Sequence, residues 1–276
     1  MMEEEQLMSL IDHYRRINIF QFGVGGTGSW LVPPMCKFLN NLSRRFGNEE
    51  LSVHYLLFDD DFVKEENIIR QNFDYYDIGR SKVMSLIRKY AHVFENIVGI
   101  RLRADTKSKI NKIFQTGRYK SVSMRYAANF VFGCSDNNKT RRALFNYFNN
   151  SLDFFSPIIY FDSGNDIHHG QIVTTAFEEI EAFDGLGTEF IRSLKLLNFR
   201  NGKRFKQPPF LKMFPAKNDK IENENEVCAF FGDQTQSVNM LAANMLFINF
   251  QQAVLQEMLP PPVINFNNAG YSTFEL

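Results

Sequence analysis

Short apolar runs alternate with segments of helical character through the first two thirds of the chain. The runs lie at residues 17–22, 51–58, 97–102, 127–132 and 157–161. The segments around them are predicted as helices, at residues 3–14, 26–46, 64–72, 80–94, 105–114 and 139–149. Strands that alternate with helices are typical of a mostly parallel sheet with helices on both faces. The pattern therefore predicts an α/β fold.

Two of the predicted helices carry further information. Apolar residues recur at helical spacing within 80–94, Met84 among them, which predicts a buried face. The helix at 26–46 contains Pro33 and Pro34. Because proline is tolerated only in the early turns of a helix, we expect both prolines to lie there.

The second half of the chain follows a different pattern. Residues 170–176 are predicted as a strand antiparallel to the one before it, and residues 233–257 as a long helix capped by Asp233. The stretch at about 178–230 has little periodicity and is expected to be a mobile crossover insertion. The tail can add one or two final strands. We therefore expect a single domain over residues 1–276.

The composition of the chain limits the classes of function that we expect. The chain has 276 residues, 44% of them hydrophobic, and its 31 basic residues balance its 31 acidic ones. A neutral chain gives no general reason to expect a nucleic acid or an anionic membrane as partner, and the apolar runs are too short to span a bilayer. The acidic N-terminal residues differ from a signal peptide, so we expect a cytoplasmic protein. The three cysteines, Cys36, Cys134 and Cys228, are too far apart to suggest a disulfide framework or a structural zinc site.

One strand runs directly into a glycine pattern. The apolar residues 17–22 precede Gly23-x-Gly25-x-x-Gly28, and a predicted helix follows. Gly23 permits a tight turn, Gly25 lets a phosphate approach the backbone, and Gly28 lets the helix pack on the strand. The helix N-terminus adds free N–H groups for an anion. Glycine-rich turns also occur without a ligand, but this context favours a nucleotide site in a Rossmann-like fold.

Acidic residues follow the ends of later strands, where an open α/β sheet places its ligand. Asp59 ends the second strand, and its carboxylate can accept hydrogen bonds from the ribose hydroxyls of an adenine nucleotide. Asp136 follows the fourth strand and can hold magnesium that bridges two phosphates. Each residue has an alternative interpretation, Asp59 as a solvated turn acid and Asp136 as the N-cap of the next helix.

Amide and basic side chains lie between these two acids. Asn67, Arg70 and Gln71 are three and four residues apart, so they share one face of the predicted helix 64–72. Arg70 can grip a triphosphate with two hydrogen bonds, and Lys82 can reach phosphate oxygens as a point charge. Taken singly, each cation is better explained as a solvated residue on a helix face.

Together these segments resemble the ThiF/MoeB family, the nucleotide-dependent activators of ubiquitin-like proteins. The family motifs G-x-G-G-x-G-S, D-x-D-x-V, N-L-x-R-Q, G-x-x-K and D-N correspond to residues 23–29, 59–63, 67–71, 79–82 and 136–137. Ile68 replaces the leucine of the third motif, and Arg141 follows the last one. The resemblance covers residues 17–176, in which the segment 162–173 is similar to the ThiF-type proteins of bacterial PRTRC gene systems.

The resemblance implies ATP- and magnesium-dependent adenylation of the C-terminal carboxylate of a ubiquitin-like, β-grasp protein that ends in glycine. It implies that Gly26 and Asn67 act at the phosphates, that Asp61 and Gln71 belong to the nucleotide site, and that Asp136 holds magnesium. A carboxylate is already a nucleophile at neutral pH. Arg70 and its neighbours therefore need only position the reactants and neutralise the charge of the phosphates. The family also implies a homodimer. Its two C-x-x-C zinc pairs are missing, so we expect no zinc.

Cys228 stands just before the long helix, where many members of this family carry a cysteine. In some members that cysteine captures the activated carboxyl as a thioester or persulfide, and a nearby helix N-terminus can lower its pKa. A buried packing cysteine explains the position equally well.

Three other functions stay open at this point. The chain can adenylate a different carboxylate, such as a peptide C-terminus or a modified tRNA base. It can be the non-catalytic half of a dimeric activator, which the intact set of Asp59, Arg70, Lys82 and Asp136 disfavours. An NAD-dependent dehydrogenase is disfavoured by the second consecutive glycine, Gly26, and by the N-x-x-R-Q segment.

Overall fold

The fold is one mixed sheet with helices on both faces. The computed structural model of the chain describes residues 14–114, 124, 127–135, 138–150, 158–165, 169–177, 235–255, 260–261, 263–267 and 270–274. Within these residues the sheet has eight strands. They are β1 (Arg16–Phe22), β2 (Ser52–Phe58), β3 (Ile97–Ile100), β4 (Ala128–Gly133), β5 (Ile158–Asn165), β6 (His169–Phe177), β7 (Val263–Asn267) and β8 (Gly270–Phe274).

The strand order is β3-β2-β1-β4-β5-β6-β7-β8. The five strands from β3 to β5 run parallel to their neighbours, and β6, β7 and β8 continue the sheet in antiparallel pairs. This confirms the predicted class, a mostly parallel α/β sheet with antiparallel strands from the C-terminal half. The order reverses between β1 and β4, which is where such sheets bind their ligands.

Helices cover both faces of this sheet. They are α1 (Gly26–Glu50), α2 (Glu65–Ile68), α3 (Lys82–Tyr90), α4 (Lys107–Phe114), α5 (Asn138–Asn150) and α6 (Gln236–Leu255). Successive side chains of a strand point to opposite faces, so β1 buries Ile19 on one face and Phe20 on the other. The first face packs against α1, α3 and α6, and the second against α4 and α5. Burial on both faces explains why the strands are continuous apolar runs.

The long helix α6 is part of the core. By length and composition it is the one described helix that could cross a membrane, but more than half of its apolar window is buried in the protein. Its Phe250 ring meets Phe38 of α1 edge-on at 5.7 Å and Phe130 of β4 at 4.9 Å. The predicted cap Asp233, the insertion at about 178–230 and residues 3–13 of the predicted first helix lie outside the described residues.

Two predicted helices are shorter in the structure. The helix predicted at 64–72 is the single turn α2, after which the N–H groups of Arg70 and Gln71 both donate to the Asn67 carbonyl. The helix predicted at 80–94 begins only at Lys82, since the chain before it forms an isolated β-bridge with the segment after β2. The expectation that Met84 packs in the core is wrong, because its side chain is half exposed.

The prolines of α1 lie in its third turn rather than its early turns. Proline has no N–H, so the Ser29 carbonyl, four residues before Pro33, loses its helical donor. The side chain of Asn72 replaces that donor, with Nδ2 3.3 Å from the Ser29 carbonyl oxygen. The N–H of Asn72 also donates to Ser29 Oγ at 2.9 Å. A residue from the segment after β2 therefore completes the hydrogen bonding of the helix.

A buried carboxylate fixes the chain between α2 and α3. Asp77 ends the 3₁₀ turn Tyr75–Asp77, and its side chain is fully buried. It accepts hydrogen bonds from Arg88 at 2.7 Å and from the Asp74 N–H at 2.9 Å, and Lys89 lies 2.8 Å away. Burial acts to raise the pKa of this carboxyl, but these donors outweigh it, so the pKa of Asp77 is lowered from its ordinary value.

Asn72→Ala should reduce the free energy of unfolding by about 1–2 kcal/mol, because the buried Ser29 carbonyl loses its donor. In a protein that already carries Pro33→Ala, Asn72→Ala should reduce the free energy of unfolding by less, since residue 33 then supplies the helical N–H to the Ser29 carbonyl. Urea denaturation of both single variants and the double variant measures this coupling. Asn41→Ala, exposed on the same helix, is the control. If the losses of unfolding free energy in the two single variants add up to that of the double variant, the Asn72 hydrogen bond to the Ser29 carbonyl does not compensate for the proline.

Asp77→Asn should destabilise the fold by about 2 kcal/mol at pH 7, because a charged acceptor with several donors is lost. The pKa of Asp77 is lowered in the folded protein, so its contribution is fully present above about pH 4, the unfolded pKa, and is lost as the pH falls through the lower folded pKa. The difference in stability from the unmodified protein should therefore be smaller at pH 3 than at pH 7, as measured by denaturation at both pH values. Asp74→Asn, which removes a 70% exposed partner of the same Lys89, should change stability by less than about 0.5 kcal/mol.

Candidate functional site

The carboxyl ends of three central strands are level with one another. In the register of the sheet, Phe22 of β1 lies between Phe58 of β2 and Gly133 of β4. The Gly23 N–H donates to the Phe58 carbonyl at 2.8 Å, and the Cys134 N–H donates to the Phe22 carbonyl at 2.8 Å. The turns that follow these strands are therefore side by side where the strand order reverses.

A buried amide holds the glycine turn together. Gln21 donates from Nε2 to the carbonyls of Gly23 at 3.0 Å and Gly28 at 2.9 Å, and its Oε1 accepts from the Tyr55 hydroxyl. Gly23 has a φ of +95°, and a methyl group on Gly28 would lie 2.1 Å from the Gly23 carbonyl oxygen. The tight turn and the close helix packing are thus present as the pattern predicts. Gln21 is not among the predicted site residues, although a polar residue inside an apolar strand indicates a position with a specific hydrogen-bonding role.

The N-terminus of α1 is open at this turn. No described side chain caps the helix at Gly25, so the N–H groups of its first turn have no acceptor within the helix. A methyl group on Gly25 would meet nothing closer than Gln71 Nε2 at 3.8 Å. Gln71 is buried, and its Oε1 has no hydrogen-bond partner among the residues that the structure describes. The turn therefore offers backbone donors to an anion and, beside them, a buried acceptor that a ligand can satisfy.

Asp59 connects the glycine turn to the turn after β2. Its Oδ2 accepts the Val24 N–H at 2.8 Å, and its Oδ1 accepts the Asp61 N–H at 2.9 Å. Burial raises the pKa of the Asp59 carboxyl, while the nearby Lys82 and the two N–H groups act to lower it. Each carboxylate oxygen can still accept another hydrogen bond, so the position is compatible with binding ribose hydroxyls.

Lys82 lies almost buried beside this turn. Its Nζ is 3.0 Å from Oδ2 of Asp61, which is 53% exposed, while the Lys82 side chain is only 8% exposed. Asp59, Asp60 and Asp61 place ligand atoms within 4.8 Å of one another, a spacing that could hold a metal ion. Each of these carboxylates already has a donor, since Asp60 pairs with Arg103 at 3.4 Å. Lys82 is thus the cation of the turn, and Asp61 is its partner.

Arg70 and Asn67 lie on the segment after β2, beside α1. Asn67 is buried, and its Oδ1 accepts the Lys64 N–H at 2.9 Å, which closes the single turn of α2. The Arg70 carbonyl accepts the indole N–H of Trp30 at 3.1 Å. Among the described residues, no carboxylate lies within 4 Å of the Arg70 guanidinium. Arg70 therefore has an anchored backbone and a cationic group available to an anion.

A second polar cluster is buried beneath the turn after β4. Arg141 of α5 donates from Nε to Asp162 Oδ1 at 2.8 Å, and Tyr160 donates to the other oxygen of that carboxylate. Arg141 also donates to the Ser163 carbonyl. This cluster ties the first turns of α5 to the end of β5, and so fixes the helix that follows Asp136.

The structure describes only some of the remaining candidate site residues. Asp136 and Cys228 lie outside the described residues, so their proposed roles stay predictions. Cys36 and Cys134 are buried free thiols. Burial raises the pKa of the Cys36 thiol to about 12 and holds that of Cys134 well above its usual range. Neither thiol is a nucleophile at neutral pH.

Comparison with known proteins gives matches in structure only. No protein-family model and no curated protein sequence matches the chain. The fold is similar to that of PaaA, with a TM-score of 0.56 and 14% identity over 99% of this chain and 75% of that chain. It is also similar to E. coli MccB crystallised with ATP, with a TM-score of 0.55 and 13% identity over 97% of this chain and 65% of that chain.

A third match is E. coli MccB crystallised with AMPCPP and MccA, with a TM-score of 0.56 and 13% identity over 97% of this chain. The chain spans 66% of that MccB chain, slightly less than two thirds. At such identities the likeness concerns the fold. The chain therefore shares its fold with PaaA and MccB, and this is the fold that the resemblance to the ThiF/MoeB family implies.

Proposed function

We propose that the chain is an ATP-dependent adenylyltransferase that activates a C-terminal carboxylate. One observation carries the proposal: the open N-terminus of α1 at Gly25 lies beside Asp59 and the cation Lys82, where the strand order reverses. Structures of MccB, which has the same fold, contain ATP or AMPCPP. Both facts support a nucleotide site at this edge of the sheet.

In the proposed reaction a carboxylate oxygen of the substrate attacks the α-phosphorus of ATP. A bond forms between that oxygen and phosphorus, the bond from the α-phosphorus to the bridging oxygen breaks, and pyrophosphate leaves with the electron pair. No proton moves, because the attacking carboxylate is ionised at neutral pH. The protein must therefore supply position and positive charge.

The described residues have roles that match these needs. The first-turn N–H groups at Gly25 and Gly26 bind phosphate oxygens, and Asp59 accepts the ribose hydroxyls. The Arg70 guanidinium, which has no described carboxylate partner, neutralises the polyphosphate. Lys82 exchanges Asp61 for a phosphate oxygen when ATP is bound.

Magnesium is proposed as the second cofactor. The turn after β4 reaches the same edge of the sheet, because the Cys134 N–H is bonded to the Phe22 carbonyl at 2.8 Å. Asp136 comes two residues after Cys134 in the sequence, and a carboxylate is the donor type that Mg²⁺ prefers. Bound there, the ion would neutralise charge on the phosphates. We propose no zinc site.

The substrate is proposed to be the C-terminus of a ubiquitin-like, β-grasp protein that ends in glycine. The family resemblance also supports a homodimer, with Cys228 as an acceptor of the activated carboxyl. The neutral charge, the short apolar runs and the acidic N-terminal residues favour a cytoplasmic protein that binds neither nucleic acid nor membrane. A second candidate substrate is a peptide C-terminus, which the MccB complexes with its peptide substrate MccA favour. Both candidates present the same chemical group to the same site.

The full chain with Mg²⁺ and ATP should catalyse exchange of labelled pyrophosphate into ATP when a β-grasp protein ending in glycine is added. The same protein with an amidated C-terminus is the control and should give only background exchange. A short peptide with the matching C-terminal sequence separates the two substrate classes, since it should support exchange only if a peptide suffices. Background exchange with every carboxylate substrate would contradict adenylation.

Lys82→Ala should reduce the rate of this exchange by about 10²–10³-fold, because one preorganised charge at the phosphates is lost. Lys64→Ala, which removes a 72% exposed lysine from the same segment, should leave the rate within twofold. Thermal denaturation of both variants checks that Lys82→Ala remains folded. An exchange rate within twofold of the unmodified protein in folded Lys82→Ala would remove Lys82 from the site.

A further inference from the structure

Three polar side chains from distant parts of the chain meet behind the glycine turn. Asn239, in the first turn of α6, is fully buried. Its Oδ1 accepts from Asn165 Nδ2 at 2.6 Å, and Asn165 Oδ1 accepts from the Thr27 hydroxyl at 3.1 Å. This chain of hydrogen bonds connects the N-terminal turns of α1 and α6 to the end of β5.

The other end of the Asn239 amide faces the segment that carries Arg70. Asn239 Nδ2 lies 3.3 Å from the Arg70 carbonyl oxygen, which also accepts the indole N–H of Trp30 at 3.1 Å. A carbonyl oxygen has two lone pairs, and both are engaged here by rigid, packed side chains. The peptide plane between Arg70 and Gln71 is therefore fixed from two sides.

The second consecutive glycine belongs to the same arrangement. A methyl group on Gly26 would lie 2.8 Å from both Oδ1 and Nδ2 of Asn239. The Asn239 amide thus occupies the space that a side chain at position 26 would need. This close approach places the amide directly between the phosphate-facing turn and the Arg70 backbone.

We propose that Asn239 is a positioning residue for Arg70: its amide holds the Arg70 backbone against α1, so that the guanidinium is presented to the polyphosphate of ATP. This inference rests on the proposed function, since it assigns Arg70 to the nucleotide. It gives α6 a part in nucleotide binding through the Arg70 backbone.

The test uses AMPCPP as the probe and a double-mutant cycle with Arg70. Asn239→Ala should weaken AMPCPP binding by about tenfold in the presence of Arg70, but by less than twofold in Arg70→Ala, because the effect passes through that side chain. Asn249→Ala is the matched control: it is a buried asparagine of the same helix, and its Nδ2 has no partner within the described part of the chain. Equal effects of Asn239→Ala in both backgrounds, or an equal effect of Asn249→Ala, would overturn the proposal.

A second measurement separates this inference from the proposed function. Hydrogen exchange of the Arg70 and Gln71 amides, which donate to the Asn67 carbonyl, reports the local backbone without any ligand. Exchange at these amides should be at least tenfold faster in Asn239→Ala than in Asn249→Ala. Equal rates would refute the positioning role, whereas faster exchange in a protein that fails to bind AMPCPP would refute only the nucleotide site. If Asn239→Ala does not fold, Asn239→Asp, which keeps the acceptor for Asn165, takes its place in both experiments.

Discussion

The candidate site depends on the two backbone hydrogen bonds that hold the end of β1 level with its neighbours. One joins the Gly23 N–H to the Phe58 carbonyl, and the other joins the Cys134 N–H to the Phe22 carbonyl. A slip of the register by one residue would move every side chain of the strand to the opposite face of the sheet. Here both faces of β1 are buried, so the three turns cannot move apart without disrupting the core.

Side-chain amides complete this framework wherever the backbone lacks a partner. Gln21 bonds to two carbonyls of the glycine turn, Asn72 replaces the N–H missing at Pro33, and Asn239 reaches the Arg70 carbonyl. A buried amide without partners costs free energy, so each of these side chains favours one local arrangement over its alternatives. The same segment after β2 is thereby attached to α1 and α6 through separate amides.

Local signals predicted the strands and the glycine turn, because apolar runs and the tight turn at Gly23 depend on residues close in sequence. The extents of α2 and α3 could not be predicted in the same way. Asn72 is held by α1, and Ser81 by the bridge to Phe62, so tertiary contacts decide where these helices end and begin. Asn239 carried no motif at all, since its partners are more than seventy residues away. The position of Asp59 beside the glycine turn followed from the order of parallel strands, which the sequence pattern does indicate. Lys82 comes to the same turn through the bridge between Ser81 and Phe62, which no local pattern indicates.

The pairing of Lys82 with Asp61 has a consequence for how a ligand arrives. Two ion pairs lie at the turn after β2, Lys82 with Asp61 and Arg103 with Asp60. Paired charges produce a weaker long-range field than unpaired ones, so they accelerate the diffusion of an anion less. The association rate of a polyphosphate should then depend less on ionic strength than it would at a site of unpaired cations. Selection occurs after contact, when the ligand displaces the Asp61 carboxylate from Lys82, whose side chain is only 8% exposed.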